Sequence, residues 1–366
     1  MAQQIVARAQ VLYGRYGQYL PALAFLAGLT FDSLALGRID NWVTLARQAA
    51  YLGMSALLIL GEYRFHESPP STAWLAKVWP YQSEANHFLL GSLLSSYTVF
   101  YFKSASIWPS LVFFLIILAC LVGNEFKVVK SYGRRIRVAL LQLCVVSYAI
   151  YFVPILWGEI GVWPFVVALV AATIVAGIFF LAVRRASHDD GERSREVPIS
   201  LVAIVSVFAI LYAVKAVPPV PLAIKEMGIY RSVKRLPDGY EVTHRRPAWK
   251  IWHNGDQDFL ARPGDRVYCF FSVFSPGGFR DQLRVRWYYY DVERGYVPSD
   301  AIPVSVSGGR DEGYRGYTYK QNYHPGKWSV RVETSDGREV GRIALNIEEA
   351  PVESQEDQPA LQTERL

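Results

Sequence analysis

The sequence contains few charged residues and very few cysteines for its length. Of its 366 residues, only 19% are Asp, Glu, Lys or Arg and three are cysteine, whereas 52% are apolar. Three cysteines exclude a fold built on several disulfide bonds, and the apolar and aromatic content excludes an intrinsically disordered chain. The apolar residues concentrate before position 218 and the charged residues after it. This asymmetry indicates a membrane-embedded half followed by a water-exposed half.

The sequence also lacks the short motifs that mark common enzyme classes. It contains no phosphate-binding loop, dinucleotide fingerprint, nucleophile elbow or zinc-protease helix motif. His66-Glu67 is followed by a serine and two prolines, which a zinc-protease helix does not accommodate. We therefore predict no catalytic residue, no metal and no cofactor, and the sequence favours a non-enzymatic protein.

Seven apolar stretches within residues 1–217 are long enough to cross a bilayer, which requires about 20 residues. The second is the weakest, because Arg47 and Gln48 interrupt its first turns. We predict an all-α bundle of about seven transmembrane helices. The stretches cover residues 18–37, 42–61, 84–103, 107–124, 138–157, 161–183 and 199–216.

Basic residues between these stretches fall unevenly on alternate sides. Lys and Arg in short loops favour the cytoplasmic side, so the larger set predicts a cytoplasmic N-terminus and an exported C-terminal domain. The larger set has thirteen members: Arg8, Arg15, Arg64, Lys77, Lys127, Lys130, Arg134, Arg135, Arg137, Arg184, Arg185, Arg193 and Arg195. The smaller set has four: Arg38, Arg47, Lys103 and Lys215.

The stretch between the second and third predicted spans, residues 71–79, contains two tryptophans. Helical spacing would put Trp74, Leu75, Val78 and Trp79 on one face, as in a short helix lying among lipid headgroups. A plain loop with two tryptophans is the other interpretation, and the sequence does not decide between them.

The periodicity changes after a proline-rich linker at residues 218–227. From residue 228 apolar and polar residues alternate, for example around Leu283, Trp328 and Ile343, which is typical of antiparallel strands with one buried face. Turn sequences rich in Gly, Pro, Asp and Ser separate these runs. We predict an Ig-like β-sandwich of about seven strands over residues 228–349, followed by a disordered acidic tail over residues 350–366.

Polar residues at membrane depth form two candidate groups, because burying an unpaired ionisable group in lipid is costly. The outer group contains Asp32, Arg38, Asp40 and Arg47, for which we weigh an ion pair linking spans one and two, a proton or ion pathway, and water access without function. The cytoplasm-side group could anchor and cap helix ends or form a functional site. Its main members are Glu62, His87, Asn124 and Glu125.

A third candidate site follows two glycines in the β-rich half. Tyr and Arg are favoured at interfaces because they combine contact area with hydrogen bonding, so this segment could bind an anionic glycan, a lipid headgroup or a protein partner. The alternative is a glycine-shaped turn leading into a strand whose tyrosines pack beneath loops. The mixed charges and the predicted export argue against nucleic acid. The candidate residues are Arg310, Tyr314, Arg315, Tyr317, Tyr319 and Lys320.

Several short segments together resemble a known family. They include Phe31-Asp-Ser-Leu34, His87-Phe-Leu-Leu-Gly91, Pro218-Pro-Val-Pro221, Gly313-Tyr-Arg-Gly-Tyr-Thr318 and Gly326-Lys-Trp-Ser-Val330. The chain resembles a family of uncharacterised bacterial multi-span membrane proteins whose C-terminal module is the domain of unknown function numbered 2914. The resemblance implies a bacterial inner-membrane protein with a periplasmic domain, and it supplies no activity and no functional residues.

Two functions follow as hypotheses. In the first, the helices anchor a non-enzymatic protein in the lipid bilayer, and its exported domain binds an envelope protein, a glycan or an anionic headgroup. In the second, a membrane enzyme or transporter works through the cytoplasm-side group and the exported domain is accessory. The sequence does not determine the oligomeric state.

Overall fold

The computed structural model describes residues 38–65, 70–104, 133–186, 195–247, 249–310, 313–350 and 360–366. The predicted spans at 18–37 and 107–124, with Asp32, Asn124 and Glu125, lie outside the described residues. The chain divides into two compact units. One contains the helices before residue 218, and the other contains residues 218–366 together with the short segment 157–161.

Helices make up the first unit. Asn41 caps the first of them, because its side-chain oxygen accepts a hydrogen bond from the Val43 amide at 2.8 Å. Within the described residues the helices are, in chain order, α1 (Trp42–Arg64), α2 (Ala73–Val78), a 3₁₀ turn (Trp79–Tyr81), α3 (Gln82–Lys103), α4 (Gly133–Trp157), α5 (Val162–Ala186) and α6 (Glu196–Ala213).

Four of the described helices, α1, α4, α5 and α6, are long and apolar enough to cross a membrane. The predicted third span forms as α3, but it is not among these four, because serines, Asn86 and His87 interrupt its apolar surface. The described residues therefore support four candidate spans and not seven. α5 and α6 leave many apolar side chains exposed, as a helix that faces lipid does.

Buried polar side chains connect the helices of this unit. Three hydrogen bonds made by these side chains join different helices, which lowers the cost of burying these polar groups in an apolar interior. Between α1 and α3, the Ser55 hydroxyl donates to the Asn86 side-chain oxygen at 2.5 Å. Between α4 and α6, the Gln142 amide donates to the Val197 carbonyl at 2.9 Å. Between α4 and α1, the Tyr151 hydroxyl donates to Gln48.

The segment at residues 71–79 forms the short helix α2 and not a plain loop. Trp74 is exposed, whereas Trp79 packs edge-on against Phe65 with ring centroids 5.1 Å apart. Of the two tryptophans, Trp74 is therefore the one whose ring is available to contact lipid headgroups. Contact between α2 and lipid headgroups stays a prediction.

The second unit is all-β, as predicted. It has ten strands within the described residues between 223 and 349, more than the seven expected, because strands as short as β4 are too brief to show an alternating pattern. β1 also begins inside the predicted linker. The strands are β1 (Ala223–Tyr230), β2 (Ser232–Leu236), β3 (Gly239–His244), β4 (Asp258–Ala261), β5 (Val267–Phe274), β6 (Arg280–Asp291), β7 (Gly295–Ser307), β8 (Tyr314–Lys320), β9 (Gly326–Glu333) and β10 (Glu339–Glu349).

Two sheets share one core. The five-stranded sheet has the order β4-β10-β9-β6-β7 and the three-stranded sheet the order β1-β5-β8. Their inner faces meet in a single apolar cluster that includes Trp287, Trp328 and Phe271. The alternation seen around Leu283, Trp328 and Ile343 is confirmed, because these residues are buried. The unit is therefore a sandwich of two facing sheets.

A third sheet, in which β3 lies between β2 and a strand near residue 366, packs on the outer side of the three-stranded sheet. Its strand β11 (Gln362–Arg365) pairs antiparallel with β3, and the backbones of Leu366 and Tyr240 exchange two hydrogen bonds of 2.9 and 3.0 Å. The predicted disorder of the tail is wrong for residues 360–366, since main-chain pairing with β3 orders a polar segment that cannot build a core of its own. Residues 351–359 lie outside the described residues.

Candidate functional site

Strand β8 carries five of the six predicted binding residues. Among the described strands it pairs only with β5, so it forms one edge of the three-stranded sheet. Successive residues of a strand point to opposite faces, which separates the predicted site into two groups. Tyr314 and Lys320 face the sandwich interior, whereas Arg315, Tyr317 and Tyr319 face outwards.

The inward-facing residues have structural roles. Lys320 is only 6% exposed; its ammonium donates to the Ser299 hydroxyl at 2.9 Å and forms an ion pair with Asp300 on β7. Tyr314 packs against the main core, and Thr318 between them accepts a hydrogen bond from the Trp287 indole at 3.2 Å. These contacts hold Tyr314 and Lys320 in the sandwich, although Tyr314 also lines an open cleft with Arg315, and Lys320 lines another with Tyr317 and Tyr319.

The outward-facing tyrosines belong to a surface that we call the tyrosine face, made of Tyr268, Tyr317, Tyr319 and Arg266. Tyr317 and Tyr319 are 41% and 49% exposed. Their ring centroids lie 6.0 and 5.7 Å from that of Tyr268 on β5, and the Arg266 guanidinium lies over the Tyr319 ring at 5.2 Å. Sequence reasoning missed Tyr268 and Arg266, because only the pairing of β5 with β8 brings them to this surface.

The third sheet covers only part of the outer side of the β1-β5-β8 sheet, and the tyrosine face lies beside the covered part. Phe270, which pairs with Tyr317 across the strands, is fully buried beneath the third sheet. Tyr240 of the third sheet contacts Tyr317 edge-on, with ring centroids 6.2 Å apart. Packing therefore fixes the position of the exposed rings, as a preformed binding surface requires.

An open cleft of about 670 Å³ involves the remaining predicted residue, Arg310. Arg235, Arg310 and Arg315 line it, with Asp238 as the acidic residue among the lining residues. Arg315 is partly engaged, because its guanidinium donates to the Leu366 carbonyl at 3.4 Å. Asp311 and Glu312 lie outside the described residues.

Arg315 also acts on a neighbouring carboxyl group, that of Glu226. Burial is the main influence on the Glu226 carboxyl and raises its pKa, Glu364 raises it further, and Arg315 lowers it. Arg315 is therefore close enough to interact with Glu226, and Arg235 and Arg310 are the more exposed cations of the cleft.

The glycines before β8 have a structural explanation. A side chain at Gly308 would collide with the Pro276 carbonyl oxygen, and one at Gly313 would lie 2.7 Å from the Val273 carbonyl oxygen. Gly313 also has a φ of +83°, which side-chain-bearing residues rarely adopt. The segment therefore has both features that the sequence offered as alternatives, a turn that requires glycine and exposed tyrosines on the strand that follows.

The outer group of polar residues is only partly described. Arg38 donates two hydrogen bonds to the carboxylate of Asp40, of 3.0 and 2.9 Å. This ion pair is local to the residues preceding α1. Because Asp32 lies outside the described residues, the predicted pair between spans one and two is not tested.

The cytoplasm-side group centres on an ion pair. The Glu62 carboxylate accepts a hydrogen bond from Arg137 on α4 at 2.7 Å, and both side chains are largely buried. His87 is buried in α3. Among the described residues, no group of three or more His, Cys, Asp or Glu side chains could hold a metal ion. The Glu62 contact favours the structural interpretation of this group.

A second polar pocket, of about 190 Å³, was not predicted. It lies beside the connection between β3 and β4, where Arg231 forms an ion pair with the buried Asp256 at 2.8 Å. Burial raises the pKa of Asp256, and the charge of Arg231 opposes that rise. Sequence reasoning missed this pocket because its basic residues come from two separate places, Arg231 between β1 and β2 and the others from the loop after β3.

Comparisons with known proteins give one family match. Residues 280–347 match the family described as Protein of unknown function (DUF2914). No curated protein matches the chain. Among solved structures, an immunoglobulin-like protein from Pseudomonas aeruginosa is 10% identical, with a TM-score of 0.19, over 34% of this chain and 97% of its own. An alkylpurine DNA glycosylase from Pseudomonas fluorescens is 11% identical, with a TM-score of 0.22, over 85% of this chain and 99% of its own. Superpositions this poor support no conclusion about function.

Proposed function

We propose that this chain is a non-enzymatic integral membrane protein whose exported β-sandwich binds an envelope component that carries acidic groups. The component is an acidic glycan or the acidic surface of a partner protein. The observation that carries the proposal is the tyrosine face, on which Tyr317 and Tyr319 stay about half exposed while their neighbours are fixed by packing.

The chemistry of this surface suits such a ligand. Tyrosine rings offer flat apolar area and a hydroxyl, and they lose little conformational entropy on binding. Arg266 lies over Tyr319, and Arg235 and Arg310 are exposed at the cleft. These cations supply attraction for carboxylate or phosphate groups.

The same proposal includes a topology of seven spans with a cytoplasmic N-terminus in a bacterial inner membrane. Four candidate spans within the described residues support the membrane part of this proposal, and the excess of thirteen basic residues over four on alternate sides supports the orientation. The proposal counts α3 and the two stretches outside the described residues as the other three spans. This topology puts the tyrosine face in the periplasm, where envelope glycans and proteins are available.

The experiment is photo-crosslinking in intact cells from the full chain, with a photoreactive residue at position 317. The matched control has it at Val292, which is 90% exposed on the turn between β6 and β7. We expect an adduct from position 317 only, lost in the Arg310→Ala and Arg266→Ala variants. No adduct from position 317, or equal adducts from both positions, would contradict the proposal. Digestion of the adduct with glycosidases or with a protease then distinguishes a glycan from a protein.

The second hypothesis, an enzyme or transporter working through Glu62 and His87, is not favoured. Glu62 is committed to the buried ion pair with Arg137, so its charge is already neutralised inside the helical unit. The ion pair itself accounts for the presence of Glu62 inside the helical unit, so no role in binding a substrate is needed to explain this residue.

A further inference from the structure

The loop between β3 and β4 exposes three large apolar side chains. Trp249, Ile251 and Trp252 are 65%, 80% and 64% exposed, and the two indole rings meet edge-on with centroids 5.6 Å apart. Exposed apolar residues grouped in this way indicate a contact surface rather than ordinary surface composition.

Basic residues surround these side chains. Between His244 and Gly255 the sequence has two arginines and one lysine and no acidic residue. Arg245, Arg246 and Lys250 line the pocket of about 190 Å³ together with His253. This volume is below the roughly 300–1,000 Å³ of sites for drug-sized ligands, so the pocket suits a small anionic group such as a phosphate ester.

Two aspartates balance part of this charge. Asp256 is buried against Arg231 and accepts a hydrogen bond from the Arg245 amide at 2.6 Å. Asp258 pairs with Lys250 and lies 3.6 Å from His253. The pocket has four Arg or Lys residues and two Asp residues among its lining residues, which leaves an excess of two positive charges.

The loop is held in shape by its own hydrogen bonds. The Arg246 guanidinium donates to the His253 carbonyl at 2.5 Å. Two backbone hydrogen bonds close consecutive turns of the loop. The Lys250 amide donates to the Pro247 carbonyl at 3.0 Å, and the His253 amide donates to the Lys250 carbonyl at 3.1 Å. The apolar side chains are thus presented by an ordered loop, which lowers the entropy cost of binding.

We propose that this loop docks the sandwich onto a bilayer surface that contains anionic lipids. Trp249, Ile251 and Trp252 enter the interfacial region, and Arg245, Arg246 and Lys250 contact lipid phosphates. Tryptophan favours the membrane–water interface, and basic residues beside it add attraction to anionic headgroups. The surface is separate from the tyrosine face, so this inference goes beyond the proposed function.

A bilayer fits better than a glycan or a protein for two reasons. Ile251 is the most exposed of the three apolar residues, and an aliphatic side chain offers a sugar no stacking surface, whereas it enters lipid readily. Four helices in the described part of the chain could span a membrane, so a lipid surface is available near the domain at high effective concentration.

The test uses a nitroxide attached to Ile251→Cys in the full chain, reconstituted into vesicles. Collision with oxygen, which partitions into lipid, is compared with collision with a water-soluble nickel chelate by electron paramagnetic resonance. The matched control label is at Val292→Cys, and signal from the chain without an added cysteine is subtracted. In phosphatidylcholine mixed with phosphatidylglycerol we expect the label at 251 to gain oxygen accessibility and lose nickel accessibility, with no shift at 292.

Charge is tested with the Arg245→Gln/Lys250→Gln variant and, as its control, Arg294→Gln on the exposed turn after β6. We expect the first variant, and phosphatidylcholine alone, to remove the shift at 251, and Arg294→Gln to leave it unchanged. A label at 251 that stays water-accessible in the mixed vesicles would overturn the proposal. So would equal insertion in vesicles without anionic lipid. Crosslinking from Tyr317 is read separately, so either proposal can fail without the other.

Discussion

Lys320 at the end of β8 forms an ion pair with Asp300 on β7, which joins the edge strands of the two facing sheets. The same ammonium lies over the ring of Trp328 in the core at 5.1 Å. The last residue of the predicted binding segment is therefore part of the structure that holds the sandwich together. Lys320 is buried and Asp300 is half exposed. Removing Asp300 therefore leaves a buried charge unpaired, whereas removing Lys320 leaves a charge that water can reach.

We predict that Asp300→Ala destabilises the sandwich by about 1–2 kcal/mol, since it leaves a buried ammonium without its counter-charge. The measurement is the rate of alkylation of Cys269, read by peptide mass spectrometry. Cys269 is fully buried in this core and burial raises the pKa of its thiol, so it reacts only when the sandwich opens. We expect the rate to rise roughly 5- to 30-fold. An unchanged rate would show that the ion pair contributes nothing. Glu293→Ala on an exposed turn is the control.

The tyrosine face should be dispensable for folding. We predict that Tyr317→Ala and Tyr319→Ala each cost no more than about 1 kcal/mol, because both rings are about half exposed. Trp328→Ala, in the core, should cost about 3–5 kcal/mol. Cys269 alkylation provides the comparison. If Tyr317→Ala opened the sandwich as readily as Trp328→Ala, the tyrosine would be a core residue and not part of a binding surface.

Gly308, in the turn before β8, and Gly277, in the connection between β5 and β6, form a matched pair of glycines. A methyl group at Gly308 would meet the Pro276 carbonyl oxygen, whereas one at Gly277 would meet nothing within 4 Å. We predict that Gly308→Ala destabilises the sandwich by about 3 kcal/mol through overpacking, and that Gly277→Ala changes it by less than about 1 kcal/mol. Similar alkylation rates at Cys269 in the two variants would contradict this explanation.

For the helical unit we predict that Glu62→Gln lowers the amount of folded protein in the membrane. It leaves the largely buried Arg137 without its carboxylate, a change that typically costs about 3–5 kcal/mol. The control is Arg135→Gln, which removes an ion pair to Glu196 from an exposed side chain and should have little effect. Loss of function at normal abundance in Glu62→Gln would instead favour the enzyme or transporter.

The strands of the sandwich were predictable because alternation is a local property. Leu283, Trp328 and Ile343 each lie in a run whose apolar side is the buried side. The tail strand β11 was not predictable, since its order comes from main-chain pairing with β3, more than 100 residues earlier in the chain.

The candidate site was predictable only in part. Residues 314–320 are polar or aromatic at nearly every position, so hydrophobicity does not show which side of β8 is buried. The pairing of β8 with β5 puts Thr318 opposite the buried Cys269 and Tyr317 opposite Phe270. This register separates Lys320 from Tyr319, and it adds Tyr268 to the exposed surface.

Export of the sandwich is the claim on which the proposed function depends, and reporter fusions test it directly. A reporter after Ala350 follows the last strand of the five-stranded sheet, and one after Arg185 follows a span predicted to end in the cytoplasm. We predict that alkaline phosphatase is active and green fluorescent protein dark at position 350, with the reverse at position 185. Fluorescence without phosphatase activity at position 350 would put the tyrosine face in the cytoplasm and contradict the account.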